Sequence, residues 1–342
     1  MFFCALSLWV VAQQPVVEWA KTYGGKYWDF GESILVTSDN KYVIAGGTSS
    51  QDNDTLERPT KVDGLIMKLD SDGKVLWKKT YGGNGHDAFS KIIQTKDGGF
   101  IAVGSSSSTD GLFTTNKGSD DVWILKLDSL GSFEWQKTYG GSDSDVASSI
   151  VQDTNGEYIL VMSSSSKDKD FNIQLGTSDG WIVKIDIKGE IIWKKHFGGS
   201  DSDGFYDIIQ TNNGLFIAVG VYRSKDSIFT GLGTLAIQFD TKGNVIWQKS
   251  HGSPYSITSY FNGYKSFIQT KDGNIVAFGY AWAFNRPSGH DSHDFLISKI
   301  DTKGNLLWSK MYGGEDLDVG QSVLELPSGE LIVIGKDRKS VV

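Results

Sequence analysis

Apolar residues along this chain come in short runs bounded by glycine, asparagine and aspartate, and no window shows the 3.6-residue spacing of an amphipathic helix. Typical runs are Tyr42 to Gly46, Phe100 to Gly104, Phe216 to Gly220, Ile275 to Gly279 and Leu331 to Gly335. Turn dipeptides such as Asp97-Gly98, Asn155-Gly156, Asn213-Gly214 and Asp272-Gly273 precede these segments. They predict type I′ hairpins, in which both central residues take positive φ. Short strands such as Lys91 to Thr95 and Ser266 to Thr270 lie before the turns. A further strand, such as Asp121 to Asp128, leads into Asp-x-x-Gly-x-x-x-Trp, which occurs at Asp70 to Trp77, Asp128 to Trp135, Asp186 to Trp193, Asp240 to Trp247 and Asp301 to Trp308. The chain reads as all-β.

The unit is a repeat. Trp19, Trp77, Trp135, Trp193, Trp247 and Trp308 are separated by 58, 58, 58, 54 and 61 residues. After the Trp comes Lys-x-Tyr-Gly-Gly, clearest at Tyr23, Tyr81, Tyr139 and Tyr312, with Phe197 and a degenerate His251-Gly252 in the other copies. Each period holds four strands, here lettered A to D, with the Trp on D. Several are apolar at successive positions, so protein must cover both faces of each small sheet. Four-stranded sheets stacked around an axis meet that demand and predict a β-propeller. Residues 13–342 at about 55 per copy give six blades. The chain opens on a D-type segment, Val16 to Lys21, so the N-terminal strand is expected to close the last blade. The A and B strands of that blade fall near Ser322 to Leu326 and Leu331 to Gly335; its C strand is missing or reduced to Lys339 to Val342, as at a truncated end.

Composition narrows the partners. The 342 residues carry 41 Gly, 11 Trp, only 5 Pro and a net charge of -8, and no basic block offers phosphate backbones a surface, which argues against nucleic acid. The single cysteine, Cys4, excludes a disulfide framework or a zinc-thiolate site. Residues 1–12 form an apolar stretch ending Val10-x-Ala12, which reads as a signal peptide lacking its positive n-region. It is too short to span a bilayer, and no other segment is a transmembrane candidate. The expected mature protein is a secreted, periplasmic or cell-surface monomer.

Two sets of residues carry candidate chemistry. Asp29, Asp87, Asp145, Asp203 and Asp318 stand six residues after the repeat tyrosine, with Ile257 at that distance in the fifth copy. They accept backbone N–H bonds in the D-to-A turn or form an acidic ring at the channel mouth. Together with the pairs Asp143/Asp145, Asp201/Asp203 and Asp316/Asp318, such a ring offers oxygen ligands that suit calcium, but no complete calcium loop is present and no cofactor is expected. The second set lies where the repeat breaks. The B-to-C loops are long and dissimilar, and the fourth and fifth copies depart most, with Gly233 and Gln238 in strand C and an unmatched stretch from Ala281 to His293. Loops on a rigid scaffold commonly carry recognition. Tyr222, Tyr255, Trp282 and Phe284 supply ring faces, and Arg223, Arg286, His290 and His293 supply donors. With Arg58, two of these arginines invite comparison with the carboxylate-gripping clusters of sialidases, but the sialidase box Ser-x-Asp-x-Gly-x-Thr-Trp is absent.

The unit Lys-Leu-Asp-x-x-Gly-x-x-x-Trp-x-Lys, at Lys68 to Lys79 and Lys126 to Lys137, resembles the blade hairpin of quinoprotein-like propellers. The eight blades, vicinal cysteines and metal site of the quinone enzymes are not visible, so their activity does not carry over. Trp-x-Lys-x-Tyr-Gly-Gly with Asp-Gly-Gly-Phe-Ile-Ala-Val-Gly is similar to repeats of secreted or surface-attached bacterial proteins, some labelled lipoproteins or endoglucanase-like. Gln269 to Phe278 resembles the bulb-type lectin pattern with its Gln displaced by one residue. The leading expectation is a non-catalytic propeller that binds a glycan or protein through its long-loop face. The alternatives are a polysaccharide hydrolase using the Asp ring, and a structural spacer of a larger surface protein.

Overall fold

The computed structural model describes residues 18–50, 61–111, 116–224, 233–251, 263–283, 292–314 and 316–337. These residues form 22 strands. Sheet one holds β1 (Asp29–Val36), β2 (Tyr42–Thr48), β3 (Asp63–Leu69) and β4 (Val75–Tyr81). Sheet two holds β5 (Asp87–Gln94), β6 (Phe100–Ser106), β7 (Asp121–Leu127) and β8 (Phe133–Tyr139). Sheet three holds β9 (Asp145–Gln152), β10 (Tyr158–Ser164), β11 (Asp179–Ile185) and β12 (Ile191–Phe197). Sheet four holds β13 (Gly204–Gln210), β14 (Phe216–Tyr222), β15 (Gly233–Phe239) and β16 (Val245–His251). Sheet five holds β17 (Gly263–Gln269), β18 (Ile275–Ala283), β19 (Ser292–Ile300) and β20 (Leu306–Tyr312). Sheet six holds β21 (Asp318–Glu325) and β22 (Leu331–Asp337). Neighbouring strands in every sheet are antiparallel, in sequence order.

The second strand of each sheet packs on the first strand of the next, from sheet one through sheet six. Buried side chains fill these interfaces, as where Phe89 and Trp123 of sheet two, stacked with ring centroids 4.2 Å apart, lie against Gly64 of sheet one. All six first strands line one axial cavity. The fold is a β-propeller.

The A-to-B turns differ from the type I′ expectation. Gly98, Gly156, Gly214 and Gly273 take φ of +82°, +87°, +81° and +81°, but the residue before each does not take positive φ. The Gly98 N–H donates to Thr95 O and the Thr95 N–H to Gly99 O, closing a three-residue loop that ends in a left-handed glycine. The carboxylate of Asp97 accepts the Gly99 N–H and the Thr95 hydroxyl, which holds Asp97 in the ordinary right-handed region. The Asp-x-x-Gly turn uses the same geometry: Asp70 Oδ1 accepts the N–H groups of Asp72 and Lys74, and Gly73 sits at +73°.

The repeated tryptophan joins neighbours. Trp77 lies against Gly131, Trp135 against Gly189, Trp193 against Gly243 and Trp247 against Gly304, each glycine closing the C-to-D turn of the following sheet. Trp19 lies against Gly73 of sheet one in the same way, with its Nε1 donating to Ser71 O. It occupies the place of a D-strand tryptophan from a preceding blade. Among the described residues the expected strand pairing does not occur: residues 18–28 contain no strand and sheet six has two strands. Consequently Ile332, Val333 and Ile334 are 39%, 42% and 59% exposed, whereas Ile101, Ala102 and Val103 at the same positions of sheet two are at most 1% exposed.

Candidate functional site

The recurrent aspartates sit at the starts of the first strands and are consumed by the scaffold. Asp29, Asp87, Asp145, Asp203 and Asp318 accept the N–H of Gly25, Gly83, Gly141, Gly199 and Gly314 at 2.8 to 2.9 Å. Hydroxyls add to this: Ser108 donates to Asp87 at 2.7 Å, Ser166 to Asp145 at 2.8 Å and Ser224 to Asp203 at 2.6 Å. Asp87, Asp145, Asp203 and Asp318 are at most 3% exposed and do not line the axial cavity. Of the two roles open to these aspartates, the bonds are those of turn anchors and not of an acidic ring at a channel mouth. In the fifth copy β17 starts at Gly263, whose register matches that of Gly204 in sheet four, and Ile257 lies outside the described residues. Five extra residues in that linker displaced the count. Among the described residues, no group of three or more His, Cys, Asp or Glu is disposed to hold a metal.

A second aspartate, near the start of the C strand in sheets one, two, three and five (Asp63, Asp121, Asp179 and Asp294), accompanies the first. A Cβ on Gly140 would lie 2.1 Å from Asp121 Oδ1 and 3.0 Å from Asp145 Oδ2, so glycine is what lets the two carboxylates share this corner. Burial, reinforced by the charge of Asp145 and opposed by the Lys117 N–H, pushes the Asp121 carboxyl up to about 6. Its folded value exceeds the unfolded one, so its contribution to stability is full below about pH 4 and is lost as pH rises through 6. Asp121→Asn should therefore gain about 1 to 3 kcal/mol on the wild type between pH 5 and pH 8. Thermal melts of both proteins at the two pH values check this; a gap that shrinks as pH rises refutes it.

The axial cavity was not legible as a site in the sequence. Every first strand carries a β-bulge, and the bulged residues are Glu32, Ser90, Ser148, Tyr206, Lys265 and Gln321. All six line the cavity, which measures about 340 Å³. A bulge re-aims a side chain that regular alternation would send elsewhere. Lys91 and Asp207, the next residues on β5 and β13, meet across the cavity at 3.7 Å, and the Ser149 hydroxyl donates to Asp207 at 2.7 Å. The Lys265 ammonium stands 4.1 Å from the centroid of the Tyr206 ring. Burial pushes the Lys265 pKa down, with Glu32 opposing, and burial pushes the Tyr206 phenol up.

The predicted binding residues divide. Tyr222 is wholly buried in the core between sheets three and four and offers no ring face, which corrects that expectation. The last residue of a strand that is covered on both faces packs like its neighbours. Arg223 follows it, half-buried, with its backbone N–H bonded to Asp203 and its charge acting on Tyr206. Tyr206 shares a hydrogen bond with Tyr280, and His293 packs edge-on against Tyr280 with centroids 5.2 Å apart. Burial pushes His293 down, towards the neutral ring. Trp282 lies in β18 with its Cα paired to His293. Tyr255, Phe284, Arg286 and His290 lie outside the described residues. Sheets four and five thus bring Arg223, Tyr206, Tyr280 and His293 together, with Lys265 on the cavity side of Tyr206.

No protein-family profile matches the chain. Among curated proteins the chain is similar to the regulatory protein FlaEY of Caulobacter vibrioides, 23% identical over 224 residues, covering 59% of this chain and 23% of FlaEY. The chain thus spans about a quarter of the length of that relative. The GH93 α-L-arabinofuranosidase of Fusarium graminearum, solved with arabinobiose, superposes with a TM-score of 0.55 at 11% identity, covering 89% of this chain and 87% of that one. At that identity the likeness is one of fold. A WD40 domain, that of Neurospora crassa Pan2, matches with a TM-score of 0.43 at 11% identity, over 91% of this chain and 90% of its own. Among the described residues no helix is long and apolar enough to cross a membrane.

Proposed function

We propose that this protein is an exported, six-bladed propeller that binds a glycan or a protein partner through the loop face above sheets four and five, without catalysing a reaction. The observation that carries this reading is the convergence of the residues that break the repeat. Arg223, Tyr206, Tyr280 and His293 form one half-buried patch at the strand ends that lead into residues 225–232, 252–262 and 284–291. A guanidinium, two phenols and an imidazole can serve sugar hydroxyls or peptide amides. Six blades are supported by the six bulged strands around one cavity and by Trp19 standing where a sixth D strand would place it. The apolar leader and the likeness to secreted or surface-attached bacterial repeats support export.

A glycosidase would need two accessible carboxyls about 5 to 9.5 Å apart. The recurrent aspartates are enclosed by serine and backbone donors, so they do not supply that pair. Screening the purified chain against glycan and protein arrays, alongside a polysaccharide-degradation assay, tests the proposal. Binding without degradation is expected, and Arg223→Ala combined with Tyr280→Phe should weaken it at least about tenfold, or about 1.4 kcal/mol. Release of sugar products, or binding untouched by the double substitution, would overturn the reading.

A further inference from the structure

We infer that the axial cavity is itself a binding site, for a small carboxylated sugar of the uronic-acid type, with Lys265 and Lys91 as the groups that grip its carboxylate. This goes beyond the loop-face reading and concerns different residues. The cavity of about 340 Å³ falls within the range of small-molecule sites and has room for one monosaccharide unit.

The lining is asymmetric where the scaffold is not. At the bulged position and the one after it, sheets three and six carry Ser148, Ser149, Gln321 and Ser322, all neutral. Sheets one, two, four and five instead carry Glu32, Lys91, Asp207 and Lys265. Packing between sheets does not require this, because serine satisfies the same bulge elsewhere in the ring. Among the described residues no carboxylate lies within 4 Å of the Lys265 ammonium, whose near neighbour is the Tyr206 ring. A half-buried ammonium whose carboxylate, Glu32, stays beyond ion-pair distance is costly, and an incoming carboxylate relieves that cost. The downward push on the Lys265 pKa by burial has the same origin and would be reversed by a bound anion.

The rest of the lining selects among anions. Ser90, Ser148, Ser266 and Ser322 present hydroxyls that donate to and accept from sugar hydroxyls. Glu32 and Asp207 accept sugar O–H groups, and their charge opposes a phosphate dianion more than a carboxylate monoanion. A monoanionic polyol therefore fits better than a neutral sugar or a sugar phosphate.

Isothermal titration of the purified chain with D-glucuronate, D-glucose and D-glucose 6-phosphate tests the inference. Glucuronate should bind at least about tenfold more tightly than either of the others. Lys265→Met should weaken it at least about tenfold while melting within a few degrees of wild type, and Lys91→Met, on the opposite side of the ring, should weaken it as much with a lower melting temperature, because Asp207 loses its cation. Two lysines on different sheets guard against one variant failing to fold. Equal affinity for glucose, preference for the phosphate, no binding, or wild-type affinity in both folded variants would overturn the inference. Array binding at the loop face would persist in any of those cases, so the two readings fail separately.

Discussion

Asp145→Ala is expected to cost about 3 to 6 kcal/mol, measured as a fall in the urea midpoint at unchanged slope. Three donors converge on this carboxylate: the Gly141 N–H at 2.8 Å, the Ser166 hydroxyl at 2.8 Å and the Ser164 hydroxyl. Asp145 is 0% exposed, and so are Ser166 and Ala147 beside it, so water cannot replace the lost acceptor. Each buried donor left unmade costs about 1 to 3 kcal/mol, and typical domains have only about 5 to 15 kcal/mol in hand. Asp145→Asn should be far milder. Its carbonyl oxygen can take the Gly141 and Ser166 bonds, the Ser164 hydroxyl can turn to accept from the amide, and a charge that burial disfavours is removed. A catalytic or metal-binding aspartate would show the reverse: modest stability loss in the alanine variant and complete loss of activity in both. An alanine variant within about 1 kcal/mol of wild type would refute the anchoring role.

The repeat made the architecture legible because its tryptophans, glycines and aspartates recur for reasons internal to the fold. Trp77 and its equivalents latch onto the next turn glycine, and Asp70 caps its own turn. The same logic explains what was misread. Tyr222 stands at the end of a strand whose every residue is buried, and only the neighbouring sheet decides that. The bulges at Tyr206 and Lys265 leave no signature in hydrophobic alternation, because one unpaired residue reverses the face of those that follow. Residues in the cavity were therefore invisible as a set, although Glu32, Lys91, Asp207 and Lys265 are the charged members of two adjacent positions that are otherwise mostly serine. Comparing the copies column by column at those two positions is the signal that would have found them.

Gln238 is a departure whose meaning changes with the structure, and it leads to the other large effect. In sheets one, two and five the C-strand lysine reaches the aspartate of the A-to-B turn: Lys68 to Asp39 at 3.3 Å, Lys126 to Asp97 at 3.0 Å and Lys299 to Asp272 at 2.5 Å. In sheet three Lys184 meets Asp153 at 2.8 Å and Glu157 at 2.6 Å. Sheet four has Asn213 in the turn, so no carboxylate awaits a lysine there and Gln238 is the matching loss of charge, not a binding residue. Lys184 is 4% exposed and Asp153 0%, which makes this pair the most enclosed of the series. Lys184→Met keeps the volume of the stem but leaves a buried carboxylate without its counter-ion, and should cost about 3 to 5 kcal/mol at pH 7. Adding Asp153→Asn to Lys184→Met rebuilds the uncharged arrangement of sheet four and should recover most of the loss. Urea unfolding of the single and double variants at pH 7 provides the test, and a double variant no more stable than the single would show that the pair is not coupled.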